Sequence, residues 1–507
     1  MPPRFKKFKD FKFGVVNAIE PAELPTEAVE FSRNFYFREN FWRKMPGLTE
    51  LHATQIAATP VIGMTRYYKI SPPKQDFLMV VANNNLYRFD PPNTFTQVAS
   101  GIVGERIEFL QYRDFLYYGS VDDRWRMYSG GSITYPIGGQ GGLADDAPRM
   151  FSEIVFNPHA SRFFGIGEKN NPDLLYFSNH TDENGIAVWS SANVQIIESV
   201  DGDGPQHLEV FEGKVNIFCQ NSIHSGTVLG VPQIWSFQRE KSQTGAVARR
   251  SVKRFGNSFL MLTPNFEVYR WPEDIFITKG RVKLNVDPLY AHLASAEIDE
   301  DRYYHLTFRR KEAVSSNFYH TWVYDILGDR WYGPSTQRNV ITKYYDTKNR
   351  VLLMGGVNDL EGFVFELRGR DIKNQPMDCR IGSAYSDFGF PNIDKRFKKG
   401  WIKTRQHGSL PNGSGPLELI IDTDNLYNNS QSQRIVLEDP AGPAVHVAAT
   451  GGVKEAVTKR FDIYDQYGFG NALRWELRHQ VRNAECDISE IEFEYYLKKY
   501  MKEDRAA

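Results

Sequence analysis

"FLMVVANNNLYRFD", residues 77–90, is the stretch on which the fold turns. Six apolar residues lead into Asn83, Asn84 and Asn85, and the chain leaves through Leu86, Tyr87 and Phe89. Asparagine accepts the left-handed backbone that a two-residue hairpin turn demands. The stretch predicts strand, tight turn, strand.

The same grammar recurs on both sides. "IEFLQYRDFLYYGS" (107–120) turns at Arg113-Asp114, and "RWRMYSGGSITYPI" (124–137) turns through Ser129-Gly130-Gly131. "IVFNPHASRFFGIG" (154–167) precedes "NPDLLYFSNHTDENGIAVW" (171–189), and further hairpins follow at 208–228, 258–272, 303–333 and 350–367. The second member of each pair carries a central aromatic: Tyr87, Tyr176, Tyr269, Tyr324 and Phe365. Their gaps run from about 40 to 90 residues, the wider ones holding weaker copies, "RWRMYS" and "SIHSGTV". A repeat of about 40–50 residues with about four strands is the signature of a β-propeller. The sequence predicts an irregular all-β propeller of six or seven blades over residues 51–370, its aromatics filling the space between blades.

Composition agrees. Aromatics make up 14% of 507 residues, alongside 40 glycines and 26 prolines, which suits short half-buried strands joined by tight turns. Helical periodicity is scarce. "AVEFSRNFYFREN" (28–40) reads as a short helix or an extended segment, and "LYAHLASAEI" (289–298) as a short connector. After residue 370 the chain becomes polar and basic, predicting a linker over 371–395. Alternation in "LELIIDTD" and "EIEFEYYL" then predicts antiparallel strands with one wet face, a β-sandwich domain over 396–507.

Net charge is -1, so the chain as a whole is no polyanion binder. Two local runs stand out. Residues 1–50 read as an extended N-terminal arm; in its first 14 residues Arg4, Lys6, Lys7, Lys9 and Lys12 stand against a single acid, Asp10, with Phe5, Phe8, Phe11 and Phe13 between. Lys395, Arg396, Lys398, Lys399, Lys403 and Arg405 form the densest basic patch. Each run reads either as solvated surface, lysines blocking an edge strand, or as a face toward phosphate or an acidic partner.

Chemistry finds little purchase. Cys219, Cys379 and Cys486 are too far apart for zinc spacing and odd in number, so reduced structural thiols are expected. No HExxH, Gly-x-Ser-x-Gly or Walker pattern appears, and no cofactor or catalytic residue is nominated. Asp201 and Asp203 in "DGDG" lack the further oxygen ligands of a calcium loop. Asp114, Asp122, Asp123, Asp325 and Asp329 lie in predicted turns, where aspartate bonds its own backbone. A glycosidase would need two of them facing each other. No apolar leader or run of about 18 apolar residues is seen, so neither a Sec signal nor a membrane helix is expected.

One segment carries a resemblance. In "GVVNAIEPAELPTEAVEFSRNFYFRENFWRKMPGL", the residues Gly14, Asn17, Pro21, Leu24, Pro25, Asn34, Arg43, Lys44, Pro46 and Gly47 match a pattern: a glycine-led strand, a Pro-rich turn, an asparagine-bearing stretch and a closing basic-x-Pro-Gly. This resembles the N-terminal segment of tail-hub proteins of short-tailed bacteriophages, also called nozzle or packaged-DNA stabilisation proteins. A glycine usual before the basic pair is absent; Glu39, Asn40 and Phe41 stand there. The resemblance implies a non-enzymatic virion part assembled in the host cytoplasm. Six copies would ring the DNA exit channel below portal and adaptor, carry fibres or spikes and a distal plug, and touch double-stranded DNA in transit. Residues 4–13 would dock to the adaptor or portal, and the Gly-rich loop 130–146 would gate the channel. The alternatives are a receptor-binding or baseplate propeller of a phage tail, and a carbohydrate-active propeller.

Overall fold

The computed structural model describes residues 2–9, 11, 13–19, 24–25, 27–38, 40–91, 94–131, 133–134, 150–180, 189–190, 192–197, 203–229, 232, 235–311, 319–335, 340–369, 371–373, 375–390, 393–407, 417–424, 432–438, 457–464, 469–479 and 485–497. The protein is nearly all β. Among the described residues, seven sheets follow one another between Val61 and Leu367, most of them four-stranded antiparallel meanders; the sixth also takes Gly14–Val15 and Ala28–Val29 in parallel. The first holds Val61–Lys69, Gln75–Ala82, Asn85–Asp90 and Thr94–Ala99, paired in that order. Its central turn has Asn83 at φ 48° and Asn84 at φ 56°, the double left-handed geometry that "NNN" predicts.

The sheets are arranged in a propeller-like ring. First strands of successive sheets touch, and Val340–Asp346 of the seventh returns to touch Val61–Lys69 of the first. Between the fourth and fifth sheets the contact runs through a 3₁₀ turn, Arg249–Ser251. The seams between sheets are filled by aromatic and aliphatic side chains. Tyr117 and Trp125 of the second sheet meet Phe151, Phe163 and Tyr176 of the third. Val61, Leu78 and Val80 of the first meet Val351, Leu353 and Val364 of the seventh. Tyr176 and Trp189 each pack on Phe151, with ring centroids 5.5 and 4.9 Å away.

The seventh sheet completes itself from the far end of the chain. Its fourth strand is Leu48–Glu50, antiparallel to Val364–Leu367. The ring is thereby fastened by pairing N-terminal with late residues.

Beyond the ring, two sheets pack face to face. A seven-stranded sheet is built on Lys395–His407 and Glu485–Leu497, and a five-stranded sheet on Leu417–Thr423 and Leu473–His479. Both recruit early residues: Arg4–Lys9, Phe35–Arg38 and Phe41–Lys44 join the first, and Phe31–Arg33 joins the second. Cys379–Gly382, inside the stretch expected to be linker, is a strand of the five-stranded sheet. The described part of the stretch 28–40, residues 28–38, is a series of short strands and not a helix. Residues 289–298 are a 3₁₀ turn followed by a strand.

Candidate functional site

The N-terminal residues do not form a free arm. Arg4–Lys9 lies antiparallel to Glu485–Leu497, with Lys7 opposite Glu492 and Phe8 opposite Ile491. Alternation then sends Phe8 inward, against Trp475 at 5.9 Å and Phe493 at 6.1 Å. Phe11 is fully buried beside Trp42 and Phe37. Lys7 Nζ donates to Glu490 at 2.9 Å, and that bond, with the carboxylate charge, raises the ammonium's pKa. Arg4, Phe5, Lys9 and Phe13 are exposed and Lys6 is half-buried; Arg4 lies over the Phe390 ring at 4.6 Å. Lys12 lies outside the described residues, as does most of the loop 130–146.

The later basic run is equally committed. Lys395 is fully buried, and its Nζ donates to three carbonyls: Phe390 at 2.6 Å, Ile393 at 2.8 Å and Asn471 at 2.6 Å. Burial lowers its pKa. Lys399 pairs with Glu494 at 2.9 Å, and Lys398 sits 5.3 Å over the Tyr496 ring. Arg396 stands opposite Tyr496, Lys403 opposite Glu490, and Arg405 opposite Asp487 in the backbone register.

The reason is one of sheet order. The acidic strand Glu485–Leu497 runs between two basic ones, Arg4–Lys9 and Lys395–His407. Its Glu490, Glu492 and Glu494 alternate on one face, flanked by basic strands, with Glu494 buried under its partners. Opposite charges directly across a ladder stabilise it by about 0.2–1 kcal/mol per pair. What reads as two basic patches in sequence is the flanks of one charge-balanced face.

The segment carrying the phage resemblance is a set of tie points. Gly14 has φ +63°, and a Cβ there would lie 2.7 Å from the Trp331 carbonyl oxygen of the sixth sheet. Asn17 accepts the Lys283 backbone N–H through Oδ1 at 2.8 Å. Asn34 is fully buried at φ 55° and donates to the Asp378 carbonyl at 2.9 Å. Arg43 pairs with Asp487 at 3.4 Å, and buried Lys44 with Asp371 at 3.6 Å. A Cβ on Gly47 would lie 2.1 Å from the Asp371 backbone oxygen. The segment therefore fixes the ring to the two packed sheets.

Where these parts meet, a cleft opens, lined among others by Tyr36, Arg38, Asp299, Tyr303, Arg350 and Arg368. Burial and the charge of Glu300 push the Asp299 carboxyl up to about 7. Sequence reading missed this residue; in sequence it is one acid among several, in "EIDED".

The turn aspartates are engaged separately. Asp325 takes two bonds from Arg302, at 2.9 and 2.8 Å, and Asp329 takes two from Arg281, at 2.6 and 2.7 Å. Asp114 caps Ile70 N at 2.6 Å, Asp123 pairs with Arg126 at 3.0 Å, and Asp122 with Lys169 at 3.4 Å. Asp203 accepts from the Asn221 N–H and from the Ser222 hydroxyl, locking a turn; Asp201 lies outside the described residues. The three cysteines are buried thiols. Among the described residues, no three His, Cys, Asp or Glu side chains are grouped to hold a metal, and no helix is long and apolar enough to cross a membrane.

No family model matches the chain, and no curated protein does. Solved structures similar in shape include the Neurospora crassa Pan2 WD40 domain, at 9% identity and TM-score 0.37, covering 65% of this chain and 96% of that one. The AfRom2 CNH domain is similar at 9% identity and TM-score 0.38, covering 63% and 98%.

Proposed function

We propose that this chain is a structural subunit of a bacteriophage tail. It has a seven-bladed β-propeller stapled to a β-sandwich, and six copies form a ring around the DNA exit channel. In that reading it joins portal and adaptor to distal tail parts, retains packaged DNA and conducts it at ejection, without catalysis. The observation that carries it is the course of residues 14–50. The positions that resemble the tail-hub segment, Gly14, Asn17, Asn34, Lys44 and Gly47, are the ones that tie the propeller to the sandwich. A part under load benefits from such fastening. The charge-balanced sheet face suits the role too, because a wall of unpaired lysines would hold DNA through counterion release.

The structure changes how docking is to be imagined. Phe8 and Phe11 are core, so docking would rest on the exposed Arg4, Phe5, Lys9 and Phe13. Immunogold labelling of intact phage tests the reading: label confined to the portal vertex is expected, and label on capsid faces or fibre tips alone would refute it.

A further inference from the structure

Basic side chains cluster near the ring's axis. Arg106, Arg249 and Arg250 line a cavity of about 190 Å³, and Lys253 and Lys343 lie within electrostatic reach of these arginines or of Glu108. Two of these cations have carboxylate partners: Arg250 bonds Glu108 at 2.8 Å and Lys253 bonds Glu297 at 3.0 Å. A third acid, Glu153, is taken by His207 at 3.0 Å.

The other three cations spend their donors on neutral groups. Arg106 donates to the carbonyls of Leu293 at 2.7 Å and Ile341 at 3.3 Å. Arg249 donates to Gln206 at 2.7 Å and Ser152 at 2.5 Å. Lys343 Nζ donates to the Ser295 carbonyl at 2.8 Å and its hydroxyl at 3.1 Å. A carbonyl satisfies a donor but cancels no charge, and these half-buried cations carry no carboxylate of their own. Arg106 Nε and Arg249 Nη2 make no hydrogen bond to described residues. Burial and the neighbouring Arg250 push Arg106 down to about 9, and burial with Arg106 nearby lowers Lys343 well below the usual lysine range. Glu105 and Asp122 also line the cavity, but at 75% and 45% exposure they stand in water that screens them.

We propose that this axial cavity is a binding site for one small oxyanion of the phosphate class, held by Arg106 and Arg249 with Lys343 behind them. The ligand would link sheets two, five and seven across the axis and act as a removable pin of the ring. This inference is independent of the tail reading.

The test is calorimetric titration of the full chain with sodium phosphate against sodium chloride at matched ionic strength, with thermal unfolding in the same buffers. Saturable one-to-one binding is expected, with a rise in Tm. Arg106→Gln and Lys343→Gln should each weaken it tenfold or more, while Lys403→Gln, on the distant sheet face, should leave it unchanged. Absence of saturable binding to the unmodified chain would overturn the proposal, whether or not the variants fold. So would an Arg106→Gln protein that binds phosphate as well as the parent.

Discussion

At the scale of single residues, half-buried Asp299 and buried Lys395 make the sharpest predictions. Asp299 has its folded pKa raised from 3.8 to about 7. Between those values the folded state holds a proton that the unfolded state has released. Stability from this group is therefore present at low pH, falls as pH rises from about 4 to about 7, and is flat above. Asp299→Asn should match the parent below pH 4 and exceed it at pH 8 by at most about 4 kcal/mol. Urea unfolding across that range would show the gap opening; a gap independent of pH would contradict the assignment. Lys395 makes the second prediction. Lys395→Met keeps the stem but strands three carbonyls, and should lower stability by about 1–3 kcal/mol after the relief of burying a charge. An unchanged urea midpoint would mean that the ammonium contributes nothing there.

At the scale of elements, the hairpin grammar was legible. Tyr87, Tyr176, Tyr269, Tyr324 and Phe365 all fall on the third strand of their sheets, and "RWRMYS" and "SIHSGTV" supply the third strands of the second and fourth. Local chemistry sufficed because each turn and its flanking strands are contiguous. Long-range pairing was not legible. Nothing local in "RFKKFK" says that it lies beside "EIEFEY", more than 480 residues later, so a charge-balanced strand read as a free basic arm. The same blindness hid the seventh sheet's fourth strand in "LTE" and the cleft around Asp299. Pairing also changes what deletion would do. Removing residues 1–13 takes Phe8 and Phe11 out of the core, where each is worth about 3–5 kcal/mol. That deletion should lower the thermal midpoint sharply, whereas Lys9→Gln, at an exposed position, should change it little. A deletion mutant as stable as the parent would refute the placement of this strand. Gly47→Ala probes the staple itself. Its Cβ meets the Asp371 backbone, which cannot step aside as a side chain could, and a loss of about 2–4 kcal/mol is expected in urea unfolding. A midpoint within error of the parent would place no strain at this contact.

At the scale of the whole molecule, the first fifty residues determine the character of the protein. They contribute strands to the sixth and seventh sheets of the ring and to both packed sheets beyond it. Ring and packed sheets share one hydrophobic core, from Tyr304 and Trp331 through Trp42 and Phe11 to Trp475 and Phe493. A body stapled in this way should not hinge between its parts, and the proposed tail role calls for that rigidity. The most direct test of that proposal is mass photometry, followed by negative-stain imaging, of the purified chain alone and after mixing with a phage portal–adaptor complex. The account predicts a monomer that becomes a six-fold ring on the complex. A monomer or trimer that ignores the complex and binds cells or glycans instead would contradict it.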